Sequence, residues 1–248
     1  MRWFLRGLGL LTGLAVLALT WQVGLDAPVG DREAADGALV LHDRDRGSGR
    51  DAVPAVGVDV GALRTANKEI VAWLSWDGID LDEPVAQGQD NVFYLTHNAF
   101  GEPSESGAVF SDHRARADFS DFNTVLYGHN MLSGAVFGRL ADFLDPAYYA
   151  AHPTGWLDTP AGRQRLELVA AATTDARSFY YDYSFPSPAD KRSHLTRLRE
   201  SAALWSGDAV TESDRLVVLS TCANGGTSLR TVVVARLTPD PDDPPPVK

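Results

Sequence analysis

The run Arg215-Leu-Val-Val-Leu-Ser-Thr-Cys222 is followed, across Ala223-Asn-Gly-Gly-Thr-Ser-Leu229, by Arg230-Thr-Val-Val-Val-Ala-Arg-Leu237. Both outer runs are short, β-branched and bounded by polar or glycine-rich sequence, so each reads as a strand and the connection as a turn. Adjacent antiparallel strands then put Cys222 and Arg230 at one end of a sheet. Cys222 is the only cysteine in the chain. A cysteine that served as a small hydrophobe would fall inside the apolar run, whereas this one comes after Ser220 and Thr221 at the strand exit, near a cation. That placement favours a chemically used thiol over a packing one.

Working outward, further strands read at about residues 70–76, 79–85, 107–111, 123–127 and 165–172. A short helix at 58–67 precedes them, with apolar spacing at Val60, Leu63 and Ala66. The clearest later helix is 187–205, where Pro188 stands near the start and Leu195, Leu198, Ala202 and Trp205 form a stripe. Six to eight short strands with irregular connections favour a mainly β fold, a closed or nearly closed barrel with peripheral helices, because closure leaves no exposed strand edge.

The chain of 248 residues carries a formal charge of −11, which argues against a nucleic-acid partner, since phosphate binding needs a concentrated basic surface. With one cysteine there is no internal disulfide, and a lone cysteine does not make a typical structural zinc site. No cofactor or metal is expected. Residues 7–25 contain no charge and approach the length that spans a hydrocarbon core of roughly 30 Å. Arg2 and Arg6 precede them and Asp26 and Asp31 follow, so the positive-inside rule predicts a single-pass plasma-membrane protein with a cytoplasmic N-terminus and an extracytoplasmic remainder. The flank is a poor cleavage site, which favours an uncleaved transmembrane signal-anchor over a removed signal peptide. The predicted organisation is therefore 1–25 cytoplasmic N-terminus and anchor, 26–52 flexible stalk, 53–238 one domain with its own core, and 239–248 a disordered Pro/Asp-rich tail.

Asn123-Thr-Val-Leu-Tyr-Gly-His-Asn-Met131 places His129 just past a strand, where a glycine lets the chain turn. A cysteine nucleophile needs an imidazole to trade protons with and a donor for the developing oxyanion, and Cys222, His129 and Arg230 supply those types. The alternative for His129 is a turn histidine without a role. Asp112, Asp118 and Asp121 read as solvated loop acids, and His42, His97, His113, His152 and His194 as structural.

Those residues, with Ile70-Val-Ala-Trp-Leu74, Pro84-Val-Ala-Gln87, Asp90-Asn-Val-Phe-Tyr-Leu95, Gly107-Ala-Val-Phe-Ser-Asp112, Phe137-Gly-Arg-Leu140 and Leu219-Ser-Thr-Cys222, closely resemble the class B sortases of Gram-positive bacteria from about residue 58 to 237. The resemblance implies an eight-stranded sortase-type barrel. It implies Cys222 as nucleophile, His129 as acid and base, and Arg230 as the residue that positions substrate and stabilises the oxyanion. Asn91, Leu95, Ser220 and Thr221 fall where similar enzymes line a substrate groove. Ala223 stands where relatives often carry a polar or acidic residue, so no role transfers to that side chain. The implied activity is that of a cysteine transpeptidase, which cleaves a sorting signal after Thr through a thioacyl-enzyme and passes the protein to an amine. Its partners would be sorting-signal-bearing surface proteins and the amine of a cell-wall precursor, with an Asn-Pro-x-Thr type of motif suggested by the class. Three alternatives stay open: pilus polymerisation on a pilin lysine, a cysteine hydrolase, and a membrane-anchored binding module with an inert thiol.

Overall fold

The computed structural model describes residues 57–76, 79–221, 228–240 and 242. The anchor expected at 7–25, the stalk at 26–52, and Cys222 with most of its turn lie outside the described residues. Among the described residues no helix is long and apolar enough to cross a membrane.

Among the described residues nine strands form one sheet: β1 (Ile70–Trp76), β2 (Leu81–Ala86), β3 (Val109–Ser111), β4 (Asn123–Gly128), β5 (Thr154–Thr159), β6 (Gly162–Asp175), β7 (Leu204–Trp205), β8 (Arg215–Thr221) and β9 (Leu229–Pro239). Their order is β5-β1-β2-β3-β4-β8-β9-β6-β7, and β5 also pairs with β6. That last pairing closes eight strands into a barrel and leaves the two-residue β7 appended to β6. The expected eight-stranded closed barrel is thus present. β5, which the sequence analysis passed over, is the strand that closes it, bonded to β1 on one side and β6 on the other.

β8 reads as a continuous apolar run because it is covered on both faces. Val217 and Leu219 point into the barrel with Leu126, Val233 and Leu166, while Leu216 and Val218 point outward into a second cluster with Val125, Val232, Val234 and Leu198. Leu198 belongs to helix α3 (Pro188–Ser201), the peripheral helix over this outer face; α1 (Val60–Leu63) and α2 (Pro146–Ala151) are shorter.

Several boundaries differ from expectation. α1 is a single turn, capped where the Asp59 carboxylate accepts from the Ala62 N–H. α3 begins at a capping box of Ser187 and Asp190 but stops at Ser201, with Ala202 extended. Leu204 and Trp205 then pair with Ala171 and Ala170 as β7. Trp205 fits a helical stripe and a strand equally well, and the open edge of β6 decided between them. β9 continues through Pro239, opposite Gln164, two residues past the expected end. A proline is tolerated at that strand terminus.

Candidate active site

Three strand ends meet where the chain leaves β8. β4 and β8 are parallel, with Gly128 opposite Thr221, so the last residues of two neighbouring strands are followed in sequence by His129 and Cys222. On the other side of β8, Ser220 pairs with Val232, and the Thr231 N–H donates to Thr221 Oγ1 at 3.2 Å. Arg230 therefore stands on β9 beside the end of β8, opposite Thr174 of β6. Its Nη1 donates to the Leu229 carbonyl at 3.1 Å. The topology brings His129 and Arg230 to the end of the sheet at which β8 delivers the chain to Cys222.

His129 is half-buried and fixed from below. A Cβ at Gly128 would lie 2.7 Å from the Phe137 ring and 2.8 Å from Val136, so only glycine lets the returning loop pack against this strand end. The Phe137 N–H donates to the His129 carbonyl at 3.0 Å, and Asn130 bridges to Val136. The imidazole Nε2 lies 2.7 Å from the carbonyl oxygen of Leu95, at the end of the short 3₁₀ turn Phe93–Leu95.

The residues expected to line a groove take different positions. Leu95 reaches the site through its backbone, as the acceptor for His129, while its side chain packs, partly buried, against the small apolar cluster that contains Tyr94 and Phe110. The Asn91 amide donates to Asp112 Oδ2 at 3.0 Å, and its oxygen accepts from the His113 N–H at 2.9 Å. Ser220 and Thr221 are 1% and 3% exposed. The Ser220 hydroxyl is 3.0 Å from the Tyr181 hydroxyl, and Thr221 holds β9 in register.

Asp112 corrects an expectation: it is buried at 3% exposure, not solvated. Burial by itself would raise its pKa. Two guanidinium bonds from Arg114 at 2.8 and 2.7 Å, the Arg114 N–H at 2.9 Å and the Tyr127 hydroxyl at 2.9 Å outweigh that and hold the carboxyl well below the usual range. Burial, and then the Asp112 charge, push the Tyr127 phenol upward. Tyr127 stacks on Tyr181, with centroids 6.2 Å apart, and Arg114 lies 4.1 Å over the Tyr183 ring. This polar and aromatic layer ties β4 to the segment after β6, beside an open cavity of about 360 Å³ lined by Arg114, Arg177, Tyr181 and Tyr183. The one local hint of it in the sequence is the arginine two residues after Asp112. Asp118 is an exposed loop acid and Asp121 a half-buried one, accepting from the Ser120 and Arg116 backbone N–H groups respectively.

The chain is similar to known proteins over most of its length. It is 34% identical over 160 residues to Sortase B of Listeria monocytogenes, a match covering 64% of this chain and 65% of that protein. It is 32% identical over 178 residues to Sortase B of Staphylococcus aureus, covering 71% of this chain and 73% of that one. Among solved structures, the Staphylococcus aureus sortase B–substrate complex superposes with a TM-score of 0.69 at 31% identity, covering 73% of this chain and 84% of that chain. No family model matches the chain.

Proposed function

Because the chain belongs to the class B sortases, a family of cysteine transpeptidases, we propose that it cleaves a C-terminal sorting signal after Thr and transfers the protein to an amine. Cys222 is the nucleophile in this reading. Its thiolate adds to the threonine carbonyl carbon, the carbon–nitrogen bond breaks, and a thioester forms on the enzyme. His129, holding the proton that the thiol gave up, passes it to the leaving amine, then takes one from the incoming amine, whose attack on the thioester releases the thiolate. Arg230 offers guanidinium N–H donors to the carbonyl oxygen while that oxygen carries negative charge.

The observation that supports this most is the register of the sheet. Gly128 opposite Thr221, and Thr231 bonded to Thr221, bring an imidazole and a guanidinium to the exit of β8, ahead of the only thiol in the chain. The acceptor is proposed to be a cell-wall precursor amine, with a pilin lysine as the rival nucleophile. Residues 7–25 are proposed to anchor the chain in the plasma membrane with the barrel outside.

Product analysis tests the reaction type. With a peptide carrying an Asn-Pro-x-Thr motif and an oligoglycine amine, the chain should form the Thr–amine ligation product, and Cys222→Ala should form none. Cleavage that yields only the free acid at saturating amine would make the protein a hydrolase.

A further inference from the structure

Gly107 precedes β3 and is far from His129 in sequence, yet it backs the atom to which His129 is bonded. Its φ is +60°, a left-handed conformation that L side chains rarely adopt. A Cβ there would lie 2.5 Å from the Tyr94 carbonyl oxygen and 2.9 Å from the Leu95 carbonyl oxygen. Both obstacles are backbone, and that backbone is clamped. Tyr94 is 1% exposed, and its hydroxyl donates to Glu69 at 2.6 Å and accepts from Asn67 at 3.0 Å. Asn67 in turn donates to the Ala99 carbonyl at 2.7 Å, and the Tyr94 carbonyl accepts from the Ala108 N–H at 3.0 Å. The Leu95 oxygen consequently has one place to be, 2.7 Å from His129 Nε2.

A carbonyl oxygen has no proton to give. A neutral imidazole carries one proton, so the bond to Leu95 requires it on Nε2 and leaves the lone pair on Nδ1. We propose that Gly107 is a positioning residue for the reaction: by leaving room for the Leu95 carbonyl, it fixes His129 as the Nε2–H tautomer, so that Nδ1 exchanges protons with the thiol and the amines. This rests on His129 being the acid and base of the proposed function. When Nδ1 takes the thiol proton the ring becomes cationic, and its Nε2–H bond to Leu95 strengthens as a charge-assisted one. The backbone carbonyl then does for this histidine what a carboxylate does in a Ser-His-Asp triad. Among the described residues no carboxylate bonds to the His129 ring, and Asp112 is occupied by Arg114, Tyr127 and Asn91.

The direct test is nitrogen-15 NMR of the imidazoles in the full chain at about pH 8.5, well above the ordinary histidine range near 6.5. His129 should show a pyrrole-type Nε2 and a pyridine-type Nδ1. A pyrrole-type Nδ1 in the wild-type protein overturns the assignment, and if the same sample still ligates peptide, it does so without touching the proposed function. Gly107→Ala should mix the tautomers and lower kcat by up to ~10²-fold, as for a displaced reacting group, with KM nearly unchanged. Should that variant fail to fold, Tyr94→Phe keeps the buried ring, removes only the hydroxyl clamp, and should move both readouts the same way by a smaller factor. Wild-type tautomer and kcat in the folded variants would remove Gly107 and its clamp from the mechanism. Absence of any ligation by a wild-type protein with the Nε2–H tautomer would count against the function instead.

Discussion

Arg230 is the residue at which charge and geometry can be separated. Lysine keeps the positive charge but loses the planar fork of donors. Arg230→Lys should therefore lower kcat/KM by ~10²-fold or more, the scale of a lost oxyanion donor, with the melting temperature little changed. Near-normal turnover in that variant would mean that a positive field suffices. Gly128 supplies the opposite case, a residue with no chemistry and strict geometry. A methyl group there meets Phe137 and Val136, so Gly128→Ala should cost about 1–3 kcal/mol by overpacking and loosen the turn that carries His129. A chemical melt alongside turnover checks both effects, and unchanged values would show that the loop yields freely. The position of His129 at a strand exit was legible because an apolar run, a glycine and polar residues follow one another locally. Asp112 was not, since its burial depends on Asn91 and Tyr127, 21 and 15 positions away in sequence. No periodicity in its own neighbourhood records such partners.

Helix α3 carries a titratable side chain in an apolar seat. His194 is 2% exposed, lies among the rings of Phe122, Phe179 and Phe185, and neither ring nitrogen has a hydrogen-bond partner among the described residues. Burial first, and then the nearby Arg197 charge, lower its pKa from 6.5 to about 4. Between those values the unfolded chain binds more protons than the folded one, so stability falls as pH drops from about 6.5 toward 4. At about 1.4 kcal/mol for each pH unit of displacement, the full loss is on the order of 3 kcal/mol. Asp112 works in a separate window: its lowered pKa stabilises the fold above the unfolded carboxylate value near 3.9, and that contribution disappears only in stronger acid. Urea melts at pH 7 and 5 should show a decline that His194→Leu flattens. An equal decline in the variant would place the acid sensitivity elsewhere. The start of α3 was legible from Ser187 and Pro188; its end was not, because the competing partner for Trp205 is an edge of β6 that local sequence does not encode.

At the scale of the whole molecule, the barrel could be anticipated from the number of short apolar runs, and its closure could not be located, because β5, joined to β6 by a tight hairpin, pairs with β1 across a long separation in sequence. The blocks that match the sortase pattern run from about residue 58 to 237, and none of them falls in the first 52 residues. Deleting residues 1–52 should therefore leave a barrel that ligates peptide at the full-length rate in detergent-free buffer, and a large loss of kcat would assign those residues a role beyond the proposed anchoring. In intact cells a membrane-impermeant maleimide should react with Cys222 from outside; reaction only after lysis would reverse the proposed orientation. The central claim, a thioester on Cys222, is open to intact-protein mass spectrometry. When the enzyme is mixed with sorting-signal peptide and quenched in acid before amine is added, its mass should rise by that of the fragment ending in Thr, the adduct should vanish on adding amine, and Cys222→Ala should show none. An adduct that persists in Cys222→Ala, or its absence during active turnover, would contradict the account.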